Sequence, residues 1–322
     1  MRVVRLQRWF TVSLGVLFVL LMIVIDPGAS VNGATKTFTV GSMIWNTTIP
    51  FYTNLIKGEQ DAAKKYGINI TIRNGEGDLA KEVAVVQQYV AQKVDLILVS
   101  PSNAEGIVPA VKQANAAGIP VIEVNSTVGK AAKTVTYVGA NDFTFGERQG
   151  ELLVKAIGKS GNIALILGHL GVSAQILRED GLQKYLKAYP GIKIVSKQSA
   201  DWDFDKALGI TQNLLTKYAK GTLQAIVSQG PEGVAGARYA AKIGRTDVKF
   251  IAGDYPKDVR DAIMQGTLHG TVNQDPYPQG YRAVELAYYW LTGQKSKVPQ
   301  PQDFLPLPLV TKENVEKMQP AW

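Results

Sequence analysis

From Phe38 onward, short apolar runs alternate with stretches in which apolar residues recur every three or four positions. Continuous apolar runs without polar alternation are typical of strands that are buried on both faces of a parallel sheet. The runs therefore predict ten strands, in this order along the chain: Phe38–Ile44, Ile68–Arg73, Leu96–Val99, Val121–Val124, Thr134–Val138, Ile163–Leu167, Lys193–Lys197, Ala225–Val227, Phe250–Ala252 and Gly270–Asn273.

The stretches between the runs have helical spacing. Apolar residues at 51–63 follow a three-to-four repeat, and Gly67 is placed to end that helix. Ser102 and Glu105 have the spacing of a capping box, which predicts a helix start there. Asp275 followed by Pro276 predicts an N-cap with proline in the first turn of a last helix over Tyr277–Leu291.

Repeated strand–helix units predict right-handed βαβ crossovers and hence an α/β protein. Ten strands exceed one sheet of ordinary size, so we expect two doubly wound, Rossmann-like lobes, each with a parallel central sheet. The first lobe is predicted at 35–140 plus 275–304, and the second at 141–274 plus 305–322. Several connecting segments that cross between the lobes would form the hinge, and the ligand cleft would lie between the lobes.

The first 34 residues predict an export signal. Arg2, Arg5 and Arg8 precede an uncharged run of 17 residues, Trp9–Ile25, and small residues follow as far as Ala34. Cleavage is expected after Gly33 or Ala34. Because the run is at the short edge of a membrane-spanning length, retention as an uncleaved anchor stays open.

Composition removes several classes of protein. The chain of 322 residues has no Cys and only two His, so it offers no disulfide, no thiolate metal site, no lipid-anchoring Cys and little His chemistry. Its net charge of +8 first suggests nucleic acid, but without residues 1–34 it falls to +6 and no run of five basic residues occurs. We expect no cofactor, no nucleic acid and free residence in the periplasm as a monomer.

Ligands in open α/β sheets bind beyond the carboxyl ends of the strands. The residues at those positions are amides, hydroxyls, carboxylates, one Arg and large aromatics, a set that binds a polyhydroxylated molecule through hydrogen bonds and ring faces. No nucleophile–base pair is among them, and Ser228 lacks the G-x-S-x-G context of a hydrolase. The predicted ligand-binding residues are Trp45, Phe51, Tyr52, Asn125, Asn141, Arg178, Trp202, Asp254 and Gln274.

Some of these residues also have simpler explanations. Asp254 is of a residue type that often caps a helix, and it could serve as the N-cap of a helix starting at Pro256. Arg178 could form an ion pair on a helix surface. Trp202 is equally consistent with packing at the edge of a lobe. Glu123 lies inside an apolar strand, so it needs either the ligand or a Lys as its partner.

In order along nearly the whole mature chain, about 36–310, the sequence resembles the sugar-binding branch of the type I periplasmic binding proteins, such as the ribose-binding proteins. The motifs that carry the resemblance are Ile49-Pro50-Phe51-Tyr52, Val99-Ser100-Pro101-Ser102, Gly118-Ile119-Pro120-Val121-Ile122, Gly139-Ala140-Asn141-Asp142, Arg178-Glu179-Asp180-Gly181, Asp201-Trp202-Asp203, Ile251-Ala252-Gly253-Asp254 and Val272-Asn273-Gln274. The resemblance implies that Phe51, Tyr52 and Trp202 stack on the ligand. It also implies polar contacts from Asn141, Arg178, Asp254 and Gln274.

The sequence departs from the ribose-binding pattern at three places. Ile49 stands where that pattern has Asn, Asn125-Ser126 where it has Asp-Arg, and Gly230-Pro231 where it has Asn-Asp. Three polar contacts are thus lost or neutralised. We therefore expect a less hydroxylated or differently shaped ligand than ribose, such as a deoxy-sugar, a polyol or a small non-sugar metabolite.

The predicted function is that of the solute-binding component of an ABC importer, which closes its lobes on the ligand and presents the closed form to the permease. The alternative is an exported sensor that serves a chemoreceptor or a histidine kinase, and the sequence does not separate the two. A nucleotide-dependent oxidoreductase is disfavoured, because Gly75-Glu76-Gly77 lacks the third Gly and the following helix of a dinucleotide site.

Overall fold

The computed structural model describes residues 36–322, so the predicted signal peptide at 1–34 lies outside the described residues. Within 36–322 the chain forms two six-stranded sheets. No helix in this range combines the length and the apolar character that crossing a membrane requires.

The first sheet is fully parallel, with strand order β11-β5-β4-β3-β1-β2. Its strands are β1 (Thr39–Ile44), β2 (Asn69–Asn74), β3 (Leu96–Ser100), β4 (Val121–Val124), β5 (Tyr137–Gly139) and β11 (Gln302–Phe304). The helices that pack on it are α1 (Pro50–Tyr66), α2 (Leu79–Gln92), α3 (Val108–Ala116) and α9 (Pro276–Leu291). We refer to this sheet and these helices as the first lobe.

The second sheet has the order β12-β10-β9-β8-β6-β7, and β12 is its antiparallel member. Its strands are β6 (Ser160–Leu167), β7 (Gly191–Ser199), β8 (Ala225–Ser228), β9 (Lys249–Gly253), β10 (Gly270–Val272) and β12 (Leu309–Thr311). Its helices are α4 (Asp142–Ile157), α5 (Ser173–Leu186), α6 (Phe204–Lys217), α7 (Gly233–Lys242) and α8 (Lys257–Gln265). We refer to this unit as the second lobe.

The central strands are buried on both faces. In β3, residues 96–99 are fully buried, whereas the edge strand β2 alternates between exposed and half-buried positions. This is the arrangement that continuous apolar runs predict for a parallel sheet covered by helices. The predicted α/β class with two doubly wound lobes is confirmed.

The chain passes between the lobes three times: from β5 to α4, from β10 to α9, and from β11 to β12. The strands β11 and β12 were not among the ten predicted strands. Each of them is only three residues long and pairs with a strand far away in sequence, so no local periodicity marks it.

The capping residues in the sequence predicted some helix ends correctly and one helix start wrongly. Gly67 ends α1 in the left-handed conformation, and the Asp275 side chain accepts a hydrogen bond from the backbone N–H of Tyr277 at the start of α9. The capping box at Ser102 is wrong. The backbone N–H of Ser102 donates to Glu82 Oε2 instead, and the next helix begins at Val108.

Two helices of the second lobe approach each other closely and thereby position a site residue. A Cβ added to Gly146 of α4 would lie 2.0 Å from the Arg178 carbonyl oxygen, and one added to Gly181 of α5 would lie 1.9 Å from that of Phe143. The two glycines allow backbone contact between the helices. Arg178 is thereby held beside Asp142 at the start of α4.

Candidate functional site

A cavity of about 390 Å³ lies between the carboxyl ends of the two sheets. This volume is near the lower end of the usual range for small-molecule sites, roughly 300–1,000 Å³. The structure brings eight predicted site residues to its lining: Trp45, Phe51, Tyr52, Asn125, Arg178, Trp202, Asp254 and Gln274. The lining also includes residues that were not among the predicted ligand-binding residues: Ile49, Pro50, Val172, Ala174, Phe204, Pro231, Pro256, Lys257, Asp258 and Trp322.

The wall from the first lobe is aromatic and uncharged. The indole Nε1 of Trp45 donates to Tyr52 Oη at 2.7 Å, and the same hydroxyl donates to Asn125 Oδ1 at 2.9 Å. Burial raises the pKa of Tyr52 to about 12, so the hydroxyl stays protonated at neutral pH. Phe51 meets Tyr52 edge to face, with ring centroids 5.4 Å apart.

A relay of amide side chains continues from this wall across the hinge. Asn125 Nδ2 donates to Gln279 Oε1 at 3.1 Å, and Gln279 Nε2 donates to Gln274 Oε1 at 3.2 Å. Gln274 Nε2 in turn donates to Asp254 Oδ1 at 2.9 Å. Gln279 lies in the first turns of α9 and was not predicted as a site residue. Only this contact with distant residues distinguishes it from an ordinary buried polar residue, and the sequence does not show that contact.

The wall from the second lobe holds the buried charges. Arg178 is 2% exposed, and its Nε donates to Asp142 Oδ1 at 2.8 Å while one terminal nitrogen donates to the Gln229 carbonyl at 2.7 Å. The same nitrogen lies 4.0 Å from Asp254 Oδ1. Arg178 is therefore part of a buried cluster, and its interpretation as a helix-surface ion pair is wrong.

Asp254 follows β9 and faces the cavity rather than capping a helix, because the cap position of α8 is Pro256. Burial raises the pKa of Asp254 to about 6, although Arg178 and the hydrogen bond from Gln274 act in the opposite direction. Within residues 36–322, no hydrogen bond reaches its other oxygen, Oδ2, which can therefore accept one at the cavity.

Trp202 owes its position to two glycines. A Cβ at Gly168 would lie 2.2 Å from Trp202 Cε2, and one at Gly230 would lie 2.5 Å from Trp202 Cδ1. Only glycine leaves room for the indole at these two points. The departure from the ribose-binding pattern at Gly230 therefore has a physical reason, since an Asn side chain would occupy the space of the Trp202 ring.

Three residues of the cavity lining have left-handed backbone conformations. The φ angles are 63° for Asn125, 59° for Trp202 and 60° for Asp254. Asn and Asp tolerate this region better than most residues, but a bulky Trp there carries strain that its surroundings must offset. Such strain concentrated at one cavity is typical of a functional site.

Two predicted or undecided residues lie elsewhere. The structure places Asn141 at the N-cap of α4, where its side chain accepts from the Thr144 N–H at 3.1 Å, and it does not line the cavity. Glu123 accepts from the Val128 N–H at 3.0 Å, and burial raises its pKa to about 7. It fixes the loop after β4 and is not part of the cavity lining.

Among residues 36–322 no group of His, Asp and Glu is arranged to hold a metal ion. The turn Gly75–Gly77 does not offer its amides to a phosphate. Its Gly75 and Gly77 N–H groups donate to the carbonyls of Ile44 and Trp45, both at 2.7 Å. The cavity thus presents hydrogen-bonding groups and ring faces.

Comparisons with known proteins agree with this geometry. A periplasmic binding protein domain matches residues 40–295. The ribose import binding protein RbsB of Bacillus subtilis is 32% identical over 82% of this chain and 85% of its own length. The xylitol-binding protein of Mycolicibacterium smegmatis is 27% identical over 88% of this chain and 80% of its own length.

A solved ABC transporter solute-binding protein from Bacillus halodurans, with bound myo-inositol, superposes with a TM-score of 0.81 at 27% identity, over 88% of this chain and 98% of that one. These findings confirm the resemblance seen in the sequence and the prediction of a binding protein rather than an enzyme. A family match over most of the chain, together with a cleft between two parallel-sheet lobes, places this protein in the periplasmic binding protein family.

Proposed function

We propose that this protein is the solute-binding component of an ABC importer and that it takes up a small sugar or polyol. The observation that carries the proposal is the cavity between the lobes, whose lining combines the rings of Phe51 and Trp202 with the charged groups of Arg178 and Asp254. Flat rings cover apolar C–H faces, while carboxylates accept and guanidinium groups donate to hydroxyls. The relatives that bind ribose and xylitol, and the solved structures that contain allose and myo-inositol, support this class of ligand.

We further propose that the ligand is less hydroxylated than ribose or has a different shape. The polar side chains of Trp45, Tyr52, Asn125, Gln274 and Asp254 already bond to one another or to Gln279. Ile49 and Pro231 contribute apolar surface. A deoxy-sugar or a short polyol fits such a lining, because each additional hydroxyl without a partner would cost about 1–3 kcal/mol.

Binding would work by hinge closure. Contacts between the lobes include a 2.9 Å hydrogen bond from the Thr127 N–H to Ser173 Oγ and the stacking of Trp45 on His169 at 5.2 Å. A ligand held by both walls stabilises this closed arrangement. The stabilisation equals the difference between its binding free energies for the closed and the open state. The protein would be exported to the periplasm and act there as a monomer. Its closed form would then be the form that the permease recognises.

A ligand screen tests the proposal. The panel contains D-ribose, 2-deoxy-D-ribose, L-fucose, xylitol, D-allose, myo-inositol and glycerol, each measured by thermal shift and then by isothermal titration. A ligand at about 100 times its Kd should add about 2.7 kcal/mol of stability and bind at one site. Mass spectrometry of the purified protein would identify any retained compound. An absence of both a shift and a retained sugar or polyol would contradict the proposal.

A further inference from the structure

We infer that Trp322 forms one wall of the ligand cavity and bridges the two lobes, so that it acts as a further residue that selects the ligand. This inference rests on the proposed function for its ligand class. It concerns the segment that follows β12. For this segment the sequence predicts only that it belongs to the second lobe.

The segment is anchored firmly to the second lobe. Tyr255 Oη donates to the carbonyls of Val315 and Met318, each at 3.2 Å, and the Ala321 N–H donates to the Tyr255 carbonyl at 2.8 Å. The Lys257 N–H donates to the Trp322 carbonyl at 2.9 Å. Because Tyr255 is fully buried next to Asp254, these bonds fix the segment directly beside the cavity.

The side chain of Trp322 then reaches the other lobe. Its ring meets Phe51 of α1 edge to face, with centroids 5.4 Å apart and planes at 90°. This geometry is favourable for an aromatic pair, since the positive edge of one ring faces the negative face of the other. Trp322 also packs against the apolar core of the first lobe, although its backbone is held by the second.

The position has two consequences. First, the contact between Trp322 and Phe51 joins the lobes and should favour the closed arrangement. Second, the rings of Trp322, Phe51 and Phe204 give the cavity lining an apolar side. A ligand with an apolar C–H face or a methyl group would contact this side, whereas a ligand with hydroxyl groups all round would leave some of them unpaired there.

The test uses Trp322→Ala, Trp322→Phe and Tyr255→Phe in the full chain, with Trp290→Ala as the matched control. Trp290 is also half-buried and packs on the first lobe, but it does not line the cavity. For the best ligand of the panel, we expect Trp322→Ala to lower the affinity about tenfold or more and Trp322→Phe about threefold or less. Tyr255→Phe removes the two hydroxyl bonds and should lower it several-fold. Trp290→Ala should leave it unchanged.

Two outcomes overturn the inference: an unchanged affinity in Trp322→Ala, or a tighter one, which would make Trp322 an occupant of the site rather than its wall. Small-angle scattering without ligand gives an independent measurement. Trp322→Ala should have a larger radius of gyration than the wild type and Trp290→Ala, and an equal radius would refute the bridge. If the wild type binds no compound of the panel, the proposed function fails, while the scattering still decides the role of Trp322.

Discussion

The two walls of the cavity differ in charge. The first lobe contributes Trp45, Tyr52 and Asn125, which are neutral and bonded to one another. The second contributes Arg178 and Asp254, together with Asp142 behind them. These buried ion pairs lie within one lobe, so opening the cleft would not separate them. The charged groups stay preorganised whether or not the lobes are closed, which lowers the cost of binding.

The largest expected effect comes from breaking the charged wall. Arg178→Ala leaves two buried carboxylates, Asp142 and Asp254, without their cation, and we expect a loss of about 3–5 kcal/mol of stability. Ligand affinity should fall well over tenfold. Chemical denaturation and isothermal titration measure the two effects. Arg245→Ala, which breaks a partly exposed pair with Asp247 in the same lobe, should leave affinity unaltered; if both variants bind alike, the charged wall does not contact the ligand.

The second prediction concerns Asp254 and pH. Asp254→Asn keeps the shape and tolerates the left-handed φ, and at pH 7.5 it should lower affinity about tenfold by removing a charged acceptor. Because burial raises the pKa of Asp254 to about 6, wild-type affinity should fall as pH drops below 6, by at most about tenfold per unit. Titration from pH 7.5 to 4.5 checks this, and an equal slope in Asp254→Asn would contradict it.

The same carboxyl affects stability with a definite sign. Its folded pKa is raised, so between about 3.8 and 6 the folded state binds more protons than the unfolded state, and its contribution becomes less favourable as pH rises. The stability of the wild type relative to Asp254→Asn should therefore increase as pH falls from 7 to 4. Glu232, whose pKa burial raises to about 7, is present in both proteins, but the charge of Asp254 also raises its pKa, so its contribution cancels only in part.

A smaller effect is expected from the neutral wall. Tyr52→Phe removes the acceptor of the Trp45 indole and the donor to Asn125, so we expect a loss of about 1–3 kcal/mol of stability. Affinity should fall only several-fold, because the aromatic surface stays and no charge is exposed. A loss as large as that in Arg178→Ala would show that the two walls do not differ in the way their charges suggest.

The smallest effect should come from a contact between the lobes. Ser173→Ala removes the acceptor of the Thr127 N–H and so weakens the closed state by about 0.5–1.5 kcal/mol. Affinity should fall about threefold, with the association rate unchanged and the dissociation rate raised in stopped-flow measurements. A tenfold or larger loss would mean that this single bond controls closure.

Much of this site could be predicted because strand ends are marked in the sequence. Asp254 follows β9 and Asn125 follows β4, both strands of mostly buried residues, and the carboxyl ends of such strands lie along one edge of a parallel sheet. Asn141 also follows a strand, but its short side chain satisfies the start of α4 instead. Local capping and ligand binding use the same residue type, so sequence position alone did not separate them.

What the sequence did not indicate depends on contacts between distant parts of the chain. Trp322 reaches Phe51 because the segment after β12 docks on Tyr255, and Gln279 gains its role because α9 brings it beside Asn125. The strands β11 and β12 pair with partners far away in sequence. Neither periodicity nor composition carries such information.

The passage from β11 to β12 has a consequence for the order in which the molecule assembles. These two strands complete the edges of both sheets, and they lie within ten residues of each other, at 302–311. Neither sheet is complete until this stretch has been synthesised. Both lobes must then acquire their last strand from sequence-distant pairing, which is a slow step in folding. The chain would thus stay incompletely folded through most of its synthesis, and a substitution within this stretch should slow the maturation of both lobes together.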